Sequence, residues 1–204
     1  MIELRNISVR FGQRSVLEEL SLEVASGQLV CLVGPSGCGK STILNAIAGL
    51  TPFTGEIQLP AGPMGYAFQE DRLIPWRSAS QNLRFALVDR FGAEEAARRT
   101  LMWIDRLGLE SVADQFPATL SGGMRRRVNL ARALACEPAV LLLDEPFAFL
   151  DPDMVGNVQE AILSVARESR TTTVVVSHVL EHINGLSGKV YRISGTPISA
   201  LASA

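Results

Sequence analysis

Cysteine is scarce, with three residues, Cys31, Cys38 and Cys136, in a chain of 204. Their odd number and wide spacing match neither a disulfide framework nor a metal-ligand pattern, so reduced thiols are expected. An excess of one charge is also missing: 19 Lys and Arg against 21 Asp and Glu leave a formal net charge of −2. Such a balance carries no electrostatic footprint for nucleic acid or an acidic partner. Long hydrophobic runs are absent too. Although 47% of the residues are apolar, no run approaches the ~18 that a membrane-spanning helix needs. The cleanest runs, Ala139–Leu143 and Val174–Val176, have strand length. The start, Met1-Ile2-Glu3-Leu4-Arg5, lacks the basic, apolar and small-residue layout of a signal peptide, which points to the cytosol. There is no internal repeat and no low-complexity linker. What remains is apolar material for a large core, at a length that suits one domain spanning residues 1–204.

The pattern of that material changes along the chain. Ile2, Leu4, Ile7, Val9 and Phe11 alternate with polar residues, as do Leu20, Leu22 and Val24. Gly12-Gln13 and Ser26-Gly27 punctuate them as turns, and the whole reads as an N-terminal antiparallel β layer. Leu29–Val33 is apolar without alternation, as expected of a strand covered on both faces. After a glycine-rich turn, Ile43, Leu44, Ile47 and Ala48 recur at helical spacing and Gly49 is placed to end the helix. Val140–Leu143 and Thr173–Val176 read as two more buried strands, and Lys189–Ile193 as a short one. Strand, glycine loop and helix followed by buried strands predict a parallel α/β core. Residues 78–135 look helical throughout, with Ala93–Leu107 strongly amphipathic, and read as a helical subdomain inserted into a core of about residues 1–77 and 136–204.

Gly34-Pro35-Ser36-Gly37-Cys38-Gly39-Lys40-Ser41 fits G-x-x-x-x-G-K-[ST] in full. Its glycines let the backbone curl so that N–H groups point at phosphate oxygens, and the following helix adds its positive dipole end. Lys40 is placed to reach the β- and γ-phosphates of a bound nucleotide. Ser41 is placed to ligate Mg²⁺ and Thr42 to contact the α-phosphate. Further on, Ala139–Leu143 runs into Asp144-Glu145-Pro146. A buried strand of this kind delivers carboxylates to the edge of a parallel sheet where ligands bind. Asp144 is the candidate Mg²⁺ holder and Glu145 the candidate base that accepts a proton from attacking water.

Between those motifs, Leu120-Ser121-Gly122-Gly123-Met124 resembles the LSGGQ signature of ABC ATPases, at the place in the chain where that family carries it. The resemblance implies a P-loop NTPase core with an N-terminal β layer and an inserted helical subdomain. It also implies ATP and Mg²⁺ as cofactors, and a head-to-tail homodimer in which Ser121, Gly122 and Gly123 meet the γ-phosphate held by the other copy. Met124 stands in place of the usual glutamine, and Arg126 in place of the glutamine often found two residues later; both departures are expected to affect packing. Gln69 looks like the Q-loop residue that touches Mg²⁺ and senses a permease. Asp151 looks like the D-loop, His178 like the switch histidine on the γ-phosphate, and Phe11 like the aromatic residue against adenine. Val179 replaces the acidic residue usual after the histidine.

Phe68-Gln69-Glu70-Asp71-Arg72-Leu73-Ile74-Pro75-Trp76-Arg77 is similar to a segment of the nitrate, sulfonate and taurine import group, and LSGGM recurs there. Phe116-Pro117-Ala118-Thr119 occupies the place where exporters carry TxVGExG. The resemblance therefore implies an importer ATPase on the cytoplasmic face of the inner membrane. Its partners would be integral permease subunits and, indirectly, an extracytoplasmic solute-binding protein. Leu73–Trp76 reads as a permease contact. Arg125-Arg126-Arg127 reads as consecutive arginines spread around a helix, with no nucleic-acid role. A soluble ABC ATPase of DNA repair or translation is the alternative. Such proteins carry a long coiled coil or two ATPase domains, and neither is seen here.

Overall fold

The computed structural model describes residues 1–203 and builds two sheets. The first is antiparallel, in the order β2-β1-β4, from β1 (Ile2–Phe11), β2 (Arg14–Val24) and β4 (Thr54–Gln58). Ile2 faces Val24, Leu4 faces Leu22 and Ile7 faces Leu20, and all six are buried. Leu4 and Ile7 are three residues apart, so strict alternation would put them on opposite faces. A register shift between them, with Asn6 at φ 51°, resets the alternation and returns both to the core.

The second sheet runs β5-β6-β7-β3-β8-β9, from β3 (Leu29–Val33), β5 (Met64–Ala67), β6 (Val140–Asp144), β7 (Thr172–Ser177), β8 (Lys189–Arg192) and β9 (Ala202–Ser203). All its pairings are parallel except that of β9. Every residue of β6 and β7 is buried, as the absence of alternation requires. The reason is that the sheet separates two cores. Val140, Leu142, Val174 and Val176 pack on the side of the first sheet, with α1 (Lys40–Ile47) contributing Ile43, Leu44 and Ile47. Leu141, Leu143 and Val175 pack on the other side with the remaining helices.

Those helices are α2 (Ala79–Phe91), α3 (Ala93–Arg106), α4 (Gly122–Leu134) and α5 (Pro152–Glu168). Helix α2 starts with a capping box: Ser78 Oγ accepts from the Gln81 N–H, and Gln81 Oε1 accepts from the Ser78 N–H. Leu83 and Leu87 of α2, Trp103 and Ile104 of α3, and Val128 and Leu134 of α4 converge in the second core. Helix α1 ends where expected, with Gly49 at φ 68° just beyond Ala48.

The expected α/β architecture is therefore the observed one, and four elements go beyond the expected set. Strand β4 is mostly exposed and carries a single partly buried apolar residue, Ile57, so it has almost no pattern to read. Strands β5 and β9 are too short for a periodic signal. In α5 the signal was present, since Val158, Ala161, Ile162 and Val165 are buried at helical spacing.

All three cysteines are free. Cys31 lies in β3 with no exposure, and burial pushes its thiol up to about 12. Burial likewise pushes Cys136 up to about 11. The thiolate is the reactive form, so at pH 8 only roughly one part in a thousand or less of each is reactive. Cys38 is 6% exposed, which makes it a space-filler within the glycine loop. A colorimetric thiol assay at pH 8 is expected to find close to none of the three reacting quickly in native protein, and all three after denaturation. Rapid labelling of Cys31 in the folded protein would contradict this packing.

Candidate nucleotide site

Strand β3 stops at Val33, and the glycine loop begins at once. Gly34 has no room for a side chain, because a Cβ there would lie 2.8 Å from the Ile193 carbonyl oxygen. Gly39 sits at φ 113°, and a Cβ would meet Val16 Cγ1 at 2.7 Å. No side chain caps α1, so its first amides are left for a ligand at its N-terminus. The Lys40 ammonium is buried, donates to Gly34 O at 2.8 Å and Pro35 O at 2.9 Å, and lies 4.0 Å from Glu145 Oε1.

The carboxylates arrive on the neighbouring strand. Asp144 ends β6 opposite Val176, is 3% exposed, and its Oδ1 is buried without a hydrogen-bond partner. Burial raises its pKa, and the Ser41 hydroxyl beside it, Arg126 and Lys40 pull in the opposite direction. Glu145 lies one residue on, at φ 51°, with its N–H donating to Val176 O at 3.0 Å. Its carboxylate accepts from the His178 N–H and the Ser177 hydroxyl, each at 3.3 Å, and stands 2.9 Å from His178 Nδ1. The Val179 N–H donates to Ser177 Oγ at 3.1 Å, so the local turn closes without an acidic side chain.

A hollow of about 310 Å³ opens among these groups, at the low end for ligand sites. Phe11, at the end of β1, lines it with Ser36, Gly37, Gly39, Lys40, Ser41, Thr42, Gln69 and Glu145. Arg14 and Val16 of β2 also line it and were not singled out from the sequence. A larger cleft, about 530 Å³ and lined in part by Arg167, Arg170 and Lys189, contains none of the motif residues.

Ser121, Gly122, Gly123 and Asp151 do not line the hollow. Ser121 caps α4, its Oγ accepting from the Met124 N–H at 3.2 Å. Gly123 comes so close to Phe149 that a Cβ would lie 2.7 Å from its carbonyl oxygen, and Asp151 precedes the first turn of α5. The candidate residues thus form two groups, one around the glycine loop and one where α4 meets Phe149–Asp151. Trp76, beyond Gln69, is 76% exposed.

The arginine run sits on α4, spread around it as expected, but its guanidiniums do not simply face solvent. Arg126 is buried, Arg127 donates to Leu107 O and Gly108 O, and Arg125 donates to Leu120 O. Each is occupied with main-chain oxygens. The amphipathic pattern of α4 gave no sign of this, because a guanidinium can be buried only where carbonyls converge on it.

A parallel sheet whose central strands end in a glycine loop, a helix N-terminus and paired carboxylates defines a P-loop nucleotide-binding ATPase. Residues 17–148 match the ABC transporter family, and the chain belongs to it. It is 42% identical to the aliphatic sulfonates import ATP-binding protein SsuB 2 of Burkholderia lata, over 97% of this chain and 74% of that protein. It is 38% identical to the taurine import ATP-binding protein TauB of Yersinia pestis, over 97% and 81% of the two chains. Among solved structures, the dimeric post-hydrolysis state of the cassette MJ0796 bound to ADP and Pi superposes with a TM-score of 0.88 at 28% identity, covering 100% of this chain and 98% of that one.

Gly39→Ala tests the loop geometry. An alanine there meets both an unfavourable φ and Val16, so a loss of about 1–3 kcal/mol of stability is expected, together with weakened nucleotide binding. Thermal melts with and without ATP measure both. An unchanged melting temperature and affinity would show that the loop tolerates a Cβ.

Proposed function

We propose that this ATPase powers a membrane importer for a small solute of the sulfonate, taurine or nitrate kind. The ATPase half of the reading is carried by the convergence of Lys40, Ser41, Gln69, Asp144, Glu145 and His178 near one sheet edge, with the Ser121–Gly123 group on a separate surface, and the importer half by the 42% and 38% identity to sulfonate and taurine import ATP-binding proteins. Two copies are taken to associate head to tail, so that ATP lies between the loop Gly34–Thr42 of one and Ser121, Gly122 and Gly123 of the other. Phe11 stacks on the base, and the Pro35, Ser36, Gly37, Cys38 and Gly39 backbone cradles the phosphates. Asp151 joins the facing copy. Helices between residues 78 and 135 serve as the subdomain that meets the permease, with Gln69 and exposed Trp76 at the contact. The protein works as a peripheral subunit on the cytoplasmic face, and an extracytoplasmic binding protein supplies solute to the permease.

The chemistry follows from positioning and charge. Lys40 holds the β- and γ-phosphates, and Glu145 takes the proton of the attacking water. His178, already paired with Glu145, orients it and contacts the γ-phosphate. The unpartnered Asp144 Oδ1, the Ser41 hydroxyl and Gln69 fit a Mg²⁺ ion, which neutralises developing charge on the phosphates when bound.

The deciding experiment measures ATP hydrolysis by the protein with its permease, with and without solute-loaded binding protein. Stimulation by one solute supports the importer reading. Turnover indifferent to permease and solute would favour a soluble, non-transport ABC ATPase. Glu145→Gln is expected to keep ATP binding, lower turnover by roughly 100-fold or more, and accumulate as a nucleotide-bound dimer; a fully active monomer would remove Glu145 as base. Lys40→Ala is expected to weaken ATP at least about tenfold, because a charge-assisted contact to phosphate is lost. Isothermal titration showing wild-type affinity would contradict that role.

A further inference from the structure

None of the roles above uses Arg126, the bulkiest fully buried side chain of the protein. Its guanidinium spans two separate segments. Nη1 donates to Phe68 O and lies 3.4 Å from both Gln69 O and Asp71 Oδ1. Nε donates to Glu145 O at 3.1 Å, while Nη2 donates to Glu145 O at 2.6 Å and to Asp144 O. Its neighbours on α4 hold only the first segment. Asn129 donates to Phe68 O at 3.0 Å, and Arg132 donates to Arg72 O at 3.0 Å and Asp71 O at 3.1 Å. Beyond the β5–β6 ladder, which ends at Ala67 and Leu143, Arg126 is the side chain among the described residues that hydrogen-bonds both the Gln69 loop and the end of the carboxylate strand.

Two observations separate this tie from ordinary packing. Glu145 is held at φ 51°, a region costly for a non-glycine residue and kept only where the surroundings over-determine it. Its N–H is fixed by Val176 O, and its carbonyl is fixed twice by Arg126. The second observation is chemical. A guanidinium is a rigid planar fork of five donors, whereas a glutamine in its place offers two donors on one nitrogen. One amide nitrogen cannot bridge both segments at this spread.

We propose that Arg126 is a positioning residue for hydrolysis, locking the Gln69 loop and the Glu145 main chain into one rigid unit on the signature helix. The proposal rests on Glu145 being the base. Without the fork, Glu145 is free to leave its left-handed conformation, and its carboxylate moves away from the attacking water. None of the hydrogen bonds of Arg126 goes to the phosphate loop, so the main cradle for nucleotide, Gly34–Thr42, stays in place without it and the larger loss falls on turnover.

The test compares wild type, Arg126→Gln and Arg126→Lys in the permease complex. It measures ATP affinity by titration in the absence of turnover, kcat and KM by phosphate release, and thermal stability. Arg126→Gln is expected to keep the ATP dissociation constant and KM within threefold while kcat falls tenfold or more. Arg126→Lys, which restores charge but not the fork, is expected to recover stability without recovering kcat; it carries the test alone if the glutamine variant does not fold. Wild-type kcat in either variant, or an affinity loss that matches the kcat loss, would overturn the proposal. Wild-type turnover in Glu145→Gln would overturn the base assignment and this proposal with it. Wild-type kcat in Arg126→Gln beside an inactive Glu145→Gln would overturn the proposal alone.

Discussion

One strand sets the geometry of the site. β7 pairs in parallel with β3 on one side and with β6 on the other. The register puts Val33 opposite Ser177 and Asp144 opposite Val176. The three strands therefore end nearly level, and the segments that follow them emerge side by side. Full burial enforces that pairing. With cores on both faces, every backbone group of these strands must find its partner in the sheet, and each apolar side chain contributes roughly 1.5–3 kcal/mol only in its own core. A slip of one residue would exchange Leu141 and Leu143 with Val140 and Leu142 between the two cores. The same slip would move Glu145 by about 3.3 Å relative to Lys40, more than the site can absorb.

Much of this was readable from residue order. Sheet burial showed as unbroken apolar runs, the phosphate loop as its glycine spacing, and the acid pair as carboxylates at the end of such a run. Chemistry that lies in consecutive residues leaves a local trace. Arg126 left none, because its meaning depends on four main-chain oxygens from residues far apart in the chain. Main-chain oxygens have no sequence identity, so the pattern of α4 marked only a polar residue in an odd place. Strand β4 was hidden for the opposite reason. It is an exposed edge strand paired only with β1, and neither periodicity nor composition was required of it. Arg14 escaped notice because a loop-flanking arginine has no motif, although β2 carries it to the rim of the hollow.

The electrostatics of the hollow make two complementary demands. The Lys40 ammonium is buried, and its hydrogen-bond partners are neutral carbonyls, with only Glu145 as a charge within 4.0 Å. Asp144 keeps a buried oxygen with no donor, and burial raises its pKa. Buried charge without full compensation is costly. The first site is relieved by an anion and the second by a cation or a proton donor. A bound triphosphate answers the first demand, and the Mg²⁺ proposed to accompany it would answer the second, so binding would improve on the free protein.

The separation of the two residue groups gives that binding a direction. Gly122 and Gly123 lie against Phe149, which is 81% exposed and held at φ 63°. An aromatic residue both exposed and in the left-handed region is unfavourable in an isolated subunit. It persists here because the Gly123 backbone fits closely against it. The surface that a facing copy would cover in the proposed dimer is thus already packed on the Gly123 backbone. In the head-to-tail arrangement proposed above, a surface built in advance would lose less ordering entropy on association, leaving more of the free energy of holding ATP between two copies to drive the proposed permease.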